Sequence, residues 1–108
     1  MRAVLAAVRA AYGTVLLAIP GPVLEAFGAP PDQRAENVAR LLGARHVAQA
    51  VVTRPGRFAR LGAAADALHA ASMFGFAAVD EVHRKAALVD GAIASVLCAA
   101  GLAVSTED

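Results

Sequence analysis

Long apolar runs alternate with short polar or proline-containing breaks along this chain. The apolar runs are long enough and rich enough in helix-forming residues to predict four helices. They are expected at about 3–19, 34–53, 57–79 and 85–104. The breaks are Pro-Gly-Pro at 20–22, Gly-Ala-Pro-Pro at 28–31, Arg-Pro-Gly at 54–56 and a charged segment at 80–85. The pattern therefore predicts one all-α domain spanning residues 1–108.

The helices are too apolar for an ordinary soluble bundle. Hydrophobic residues make up 58% of the chain and charged residues 18%, against usual values of about 45–50% and about 25%. The first and fourth predicted helices have almost no polar face, whereas a helix of a soluble four-helix bundle is about half polar. We expect a four-helix antiparallel transmembrane bundle. A soluble alanine-rich bundle that hides its apolar helices in a dimer stays open as the alternative.

The second predicted helix is the exception, because it carries Arg40 and Arg45. Each arginine costs about 2.5–3.5 kcal/mol at the centre of a bilayer, while each large apolar residue returns only about 0.3–0.6 kcal/mol. The helix is therefore expected to insert only if its charges are paired inside the bundle or reach the headgroup layer.

Charge and composition argue against several other functional classes of protein. A net charge of +1, with arginines spread through every segment, argues against a nucleic-acid-binding surface. Cys98 is the only cysteine and gives no disulfide or paired-thiol site. An even number of spans places both termini on one side, and the positive-inside rule favours cytoplasmic termini by a margin of one basic residue. The prediction is a multi-pass protein of the plasma membrane.

Two groups of polar residues interrupt the apolar pattern: Arg45, His46 and Gln49 in the second predicted helix, and Asp66 and His69 in the third. The two helices are antiparallel across a turn centred near residue 57, so the two histidines lie at similar depth, roughly 16–18 Å from the turn. We expect Arg45, Asp66 and His69 to form one buried cluster, with Gln49 one turn from Arg45.

Three interpretations of this cluster stay open. It could be an ion pair that holds two helices together, as intramembrane charges usually are. It could be a haem b site with His46 and His69 as axial ligands and Arg40 or Arg45 at the propionates. It could also be a proton or anion relay, or the polar end of a quinone or lipid pocket. Separately, Arg40 and Asp90 are expected at similar depth, where they could pair, or each could reach its own headgroup layer.

The segments Arg40-Leu-Leu-Gly-Ala-Arg-His-Val-Ala-Gln49 and Ala65-Asp-Ala-Leu-His-Ala-Ala-Ser-Met73 resemble a pattern found in uncharacterised small four-helix membrane proteins of actinobacteria. The resemblance spans about half of the chain, and the high Ala, Gly and Arg content fits such a source. It implies a four-helix integral membrane fold and no assigned activity.

No catalytic motif is visible: the chain lacks a phosphate-binding glycine loop, a nucleophile elbow and a His-Glu-x-x-His zinc motif. We therefore expect a non-enzymatic accessory or scaffold subunit that associates with the lipid bilayer and with copies of itself or other membrane subunits. Self-association would use the faces of small residues on the third and fourth predicted helices. The alternative is a membrane carrier of haem, quinone or lipid that uses Arg45, His46, Asp66 and His69.

Overall fold

A computed structural model describes residues 1–52 and 58–106. Within those ranges the chain is all-helical, with five helices and no strand, which confirms the predicted all-α class. The helices are α1 (Arg2–Ala18), α2 (Pro20–Ala26), α3 (Gln33–Val52), α4 (Ala59–Val79) and α5 (Arg84–Val104).

The four long helices agree with the four predicted helices to within one or two residues where both ends are described. The predicted last residue of the second helix, Thr53, the predicted first residue of the third, Arg57, and the Arg-Pro-Gly turn between them lie outside the described residues. The short helix α2 begins at the Pro-Gly-Pro segment, which the sequence indicated only as a break between helices.

Proline explains the break between α1 and α2. Ile19 leaves the helical conformation, with φ −136° and ψ 60°, and Pro20 is the first residue of α2. A proline has no N–H to donate and its ring clashes with the preceding turn, so it starts a helix readily but does not continue one. The axes of α1 and α2 differ by 107°, so α2 turns across the end of the bundle.

The loop between α2 and α3 positions the first residues of α3. Gly28 has a φ of +89°, a left-handed conformation that favours glycine, and a Cβ there would meet the Lys85 side chain at 2.6 Å. Asp32 then accepts a hydrogen bond of 2.9 Å from the backbone N–H of Arg34 and caps the N-terminus of α3.

The long helices pack as two close pairs, α1 with α3 and α4 with α5. Glycines allow the first approach: a Cβ on Gly13 would lie 2.7 Å from the Gly43 carbonyl oxygen, and a Cβ on Gly43 would lie 2.6 Å from that of Gly13. In the second pair Gly91 faces the Phe74 ring. The backbones of α1 and α3 therefore lie closer together than larger side chains would permit, and Gly91 leaves room for an aromatic ring between α4 and α5.

The interior consists of small and polar residues, whereas large apolar side chains lie outside. Within residues 1–52 and 58–106, ten of the thirteen buried hydrophobic residues are alanines, and Arg9, His46, Asp66 and Asp90 are buried among them. Exposed large apolar residues occur on all four long helices, for example Val8, Leu41, Leu68 and Val96. This distribution is the reverse of the one expected for a water-soluble bundle.

Two helices, α4 and α5, are long and apolar enough to cross a membrane, with mean hydropathies of 1.2 and 2.0. The bent pair α1 and α2 meets the same criterion only when taken together, and could form a broken span or a re-entrant segment. The described part of the chain thus has two candidate spans, or three if the bent pair counts as one, which is compatible with a membrane protein.

Candidate functional site

An ion pair between α1 and α4 lies at the centre of the interior. The Arg9 guanidinium donates two hydrogen bonds to the Asp66 carboxylate, at 2.9 Å and 2.8 Å, and the two side chains are 2% and 0% exposed. This bidentate geometry is the strongest that an arginine and a carboxylate can form. It fixes α1 against α4, two helices that belong to different close pairs.

A second arginine approaches the same carboxylate from α3. Arg45 Nη2 lies 3.6 Å from Asp66 Oδ1, and its Nε and Nη2 atoms are buried without a hydrogen-bond partner. One turn further along α3, Gln49 donates a 3.1 Å hydrogen bond to the Gly62 carbonyl oxygen of α4. Three helices therefore meet around one aspartate.

A second polar group joins α1, α4 and α5. Tyr12 donates a 2.8 Å hydrogen bond to Asp90 Oδ1, and His69 Nε2 lies 2.5 Å from Asp90 Oδ2. Each carboxylate oxygen of Asp90 thus has one partner. When ionised, Asp66 and Asp90 balance the charges of Arg9 and Arg45, so the two polar groups together are neutral.

A cavity of about 420 Å³ opens beside the second group, between the two helix pairs. Most of its wall is apolar, and Tyr12, His69 and Asp90 line its inner end. The remaining apolar lining comes from all five helices and the loop after α2, and includes Leu16, Leu24, Phe27, Val38, Leu42, Met73, Phe76 and Ala86. A concave apolar space of this size with a few convergent polar groups is typical of a small-molecule site.

The outer end of the cavity is polar, because the loops between the helices meet there. His83 lies between two carboxylates, with Nε2 3.1 Å from Asp32 and Nδ1 3.3 Å from Asp80. The backbone N–H of His83 also donates to Asp80, which lowers the pKa of that carboxyl. Arg34 lines the same end, where its side chain is exposed. Residues 32 and 83 connect the α2–α3 loop to the α4–α5 loop.

The structure places the predicted cluster residues in two groups rather than one. Arg45 lies near Asp66, but His69 contacts Asp90 instead. The predicted pair of Arg40 and Asp90 is not formed: Arg40 is exposed, and Asp90 is bonded to Tyr12 and His69. The reason is that Arg40 lies on the outer face of α3, so equal depth alone does not bring it to α5.

The two histidines considered for haem have different surroundings. His46 is 1% exposed, packs against Tyr12 with ring centroids 5.2 Å apart, and leaves Nδ1 buried without a partner. Of these two histidines, only His69 lines the cavity. In the described part of the chain, no group of three or more His, Cys, Asp and Glu residues could hold a metal ion. Haem ligation by His46 and His69 stays a prediction.

Sequence reasoning did not assign Arg9 or Tyr12 to the site. In the structure Arg9 and Asp66 each lie seven residues after the first residue of their helices. Alternating topology makes α1 and α4 parallel, so this equal count places the two side chains at one depth. The predicted helix starts at residues 3 and 57 give unequal counts of six and nine residues, so the sequence did not identify the partner of Asp66.

Comparison with known proteins gives no homologue: no family model, curated protein or solved structure matches the chain.

Proposed function

We propose that the chain is a multi-pass membrane protein that binds a small lipid-soluble molecule in the cavity between its two helix pairs. The observation that carries the proposal is the cavity itself, about 420 Å³ of mostly apolar space with Tyr12, His69 and Asp90 at its inner end. This proposal takes up the carrier hypothesis of the sequence, with Tyr12 and Asp90 in place of Arg45, His46 and Asp66 as the polar wall.

The distribution of side chains supports placing the bundle in a bilayer. Helices α3, α4 and α5 have 20, 21 and 21 residues, or about 30 Å of rise, which equals the usual thickness of the hydrocarbon layer. Their exposed faces carry large apolar side chains, while Arg45, Asp66 and Asp90 lie in the interior, where Arg9 of α1 completes the balance of charge. Lipid would thus contact apolar surface, and the charges would avoid it.

Helix α3 then inserts as part of the bundle, since it is not apolar enough to be a candidate span alone. Its Arg45 lies 3.6 Å from Asp66, and its exposed Arg40, seven residues after the start of the helix, would extend to the headgroup layer. The resemblance to small four-helix membrane proteins of actinobacteria adds the same expectation. The proposed orientation has both termini in the cytoplasm, as the basic residues indicate.

Membrane insertion is tested by fractionating expressing cells and washing the membranes with alkaline carbonate, which removes peripheral proteins. We expect the chain to remain in the washed membranes and to require detergent for extraction. Recovery as a soluble protein without detergent would overturn the proposed location.

Binding in the cavity is tested with a substitution that fills it. Ala39 is buried and lines the cavity, so Ala39→Phe should occupy part of the space that a ligand needs. Tyr12 is the only tyrosine and the chain has no tryptophan, so its emission reports directly from the cavity wall. Titration with dodecanol in a mild detergent should change this emission saturably in the wild type and not in Ala39→Phe.

The matched control is Ala67→Phe, which places the same side chain on the exposed face of α4, away from the cavity. This variant should bind dodecanol as the wild type does. Equal binding by Ala39→Phe and the wild type would refute the assignment of the cavity as the site.

An accessory-subunit role is the second candidate, and the outer face of α4 favours it. A Cβ on Gly75 would meet no heavy atom within 4 Å, and Ala67 and Ala71 lie exposed on the same face. Such a face lets another helix approach closely. Sedimentation in detergent should then give an oligomer for the wild type and a smaller species for Gly75→Leu. A monomer for both the wild type and Gly75→Leu would refute self-association through this face.

A further inference from the structure

The polar atoms around the cavity provide more acceptors than donors. Among the described residues that line it, three carboxylates, those of Asp32, Asp80 and Asp90, face one guanidinium and two imidazoles. An ionised carboxylate accepts about four hydrogen bonds. Asp90 accepts one from Tyr12 and one from His69, so acceptor capacity remains at the buried inner end.

The only guanidinium in this lining, that of Arg34, belongs to the exposed outer end. It does not contact Asp90 at the inner end, where the neighbouring polar groups are a phenol and an imidazole. Arg9 and Arg45, which balance the total charge of the interior, lie against Asp66 and are outside the cavity lining. A ligand that enters with an anionic head would add negative charge next to Asp90. A ligand with a cationic head would supply both the missing donors and the opposite charge.

Aromatic rings also line the cavity, contributed by Tyr12, Phe27 and Phe76. The faces of such rings attract organic cations, and their edges and the surrounding aliphatic groups accept an apolar body. Charge and aromatic lining thus favour the same class of ligand, an apolar molecule that carries a positive group.

We propose that the cavity binds a lipophilic amine in its ammonium form, with the ammonium group at Asp90 and the apolar body toward Met73 and Phe76. This inference rests on the proposed function, because it names the class of molecule that the same cavity takes. The ammonium donates to the free acceptor sites of Asp90, and the body contacts the apolar wall.

Three probes with one chain and different heads test the inference: dodecylamine, dodecanol and dodecanoate, titrated at neutral pH against detergent-purified full-length protein. Tyr12 emission reports occupancy, and N-acetyltyrosinamide in the same micelles corrects for quenching by partitioned ligand. We expect dodecylamine to bind about tenfold more tightly than dodecanol, since a charge-assisted hydrogen bond replaces a neutral one, and dodecanoate to bind most weakly.

Asp90→Asn should remove the preference for the amine and leave the affinity for dodecanol nearly unchanged. Glu81→Gln is the control, because it also removes one carboxylate but from an exposed position outside the cavity lining. It should behave as the wild type does. If Asp90→Asn does not fold, the ranking of the three probes by the wild-type protein still decides the question.

The outcomes separate the two proposals. Saturable binding of all three probes with equal affinity, or tightest binding of dodecanoate, would overturn the ammonium assignment and leave the cavity as a binding site. No saturable change of Tyr12 emission with any probe would overturn the binding function as well.

Discussion

The buried pair of Arg9 and Asp66 gives the sharpest prediction about stability. Asp66→Asn keeps the size of the side chain but removes its charge, which leaves the Arg9 guanidinium buried without a counter-ion. Arg45, 3.6 Å from the same carboxylate, loses its partner too. The net charge of the interior polar residues rises from zero to +1.

Removing one partner of a buried ion pair costs about 3–5 kcal/mol, because the remaining charge is desolvated and uncompensated. For a chain of this size each kcal/mol lowers the melting temperature by about 4 °C, so Asp66→Asn should melt about 12–20 °C below the wild type. The assay is thermal unfolding in mild detergent, followed by circular dichroism.

The control is Asp32→Asn, which makes the same chemical change at a half-buried loop position. Asparagine caps a helix about as well as aspartate, and the lost ion pair with His83 is worth at most about 1 kcal/mol. This variant should melt within a few degrees of the wild type. Equal losses in the two variants would refute the argument that Asp66 is buried and paired.

A double substitution separates charge from packing. Arg9→Met with Asp66→Leu replaces both partners by apolar side chains of similar volume, an exchange that is often neutral or stabilising in other buried pairs. The double variant should recover most of the stability that Asp66→Asn loses. Failure to restore it would mean that the pair contributes mainly through the fit of the helices.

Three further outcomes are expected. Gly13→Ala would place a methyl group 2.7 Å from a carbonyl oxygen of α3 and should lower the free energy of unfolding by about 1–3 kcal/mol. Gly75 has open space around it, so Gly75→Ala should raise the free energy of unfolding by up to about 1 kcal/mol, and thermal unfolding measures both changes. Tyr12→Phe removes the 2.8 Å bond to an α5 carboxylate and should cost about 1.5–3 kcal/mol in the same assay. In an NMR titration Asp80 should have a pKa below that of an ordinary aspartate, because the His83 backbone N–H favours its ionised form. The contribution of Asp80 to stability should be present above the ordinary aspartate pKa and lost as the pH falls through the lowered pKa of the folded state.

Much of the fold follows from local features of the sequence. Pro20 ends the first apolar run, and Asp32 caps the start of α3. Helix bounds could be read from such signals because proline, glycine and capping residues act within one or two turns. The extra helix α2 was missed because seven residues are too few to give a clear period.

The candidate site could be predicted only in part. Counting residues from the turn brought Arg45 near Asp66, since depth along a helix is fixed by the rise per residue. The same counting assigned His69 to Asp66 and allowed Arg40 either to pair with Asp90 or to reach the headgroup layer, whereas His69 contacts Asp90 and Arg40 is exposed. Equal depth is necessary for contact but does not decide which faces meet.

The sequence by itself determined that this chain is helical, where its helices break, and that a few ionisable residues lie within apolar segments. These properties depend on neighbours within about one or two helical turns. The tertiary structure alone decided that Arg9 is the bidentate partner of Asp66, that Tyr12 and His69 share Asp90, and that a cavity separates the helix pairs. Those outcomes depend on how each helix is rotated about its axis and on which helices are adjacent. Both are fixed only when close approaches such as that of Gly13 to Gly43 pack all the helices together.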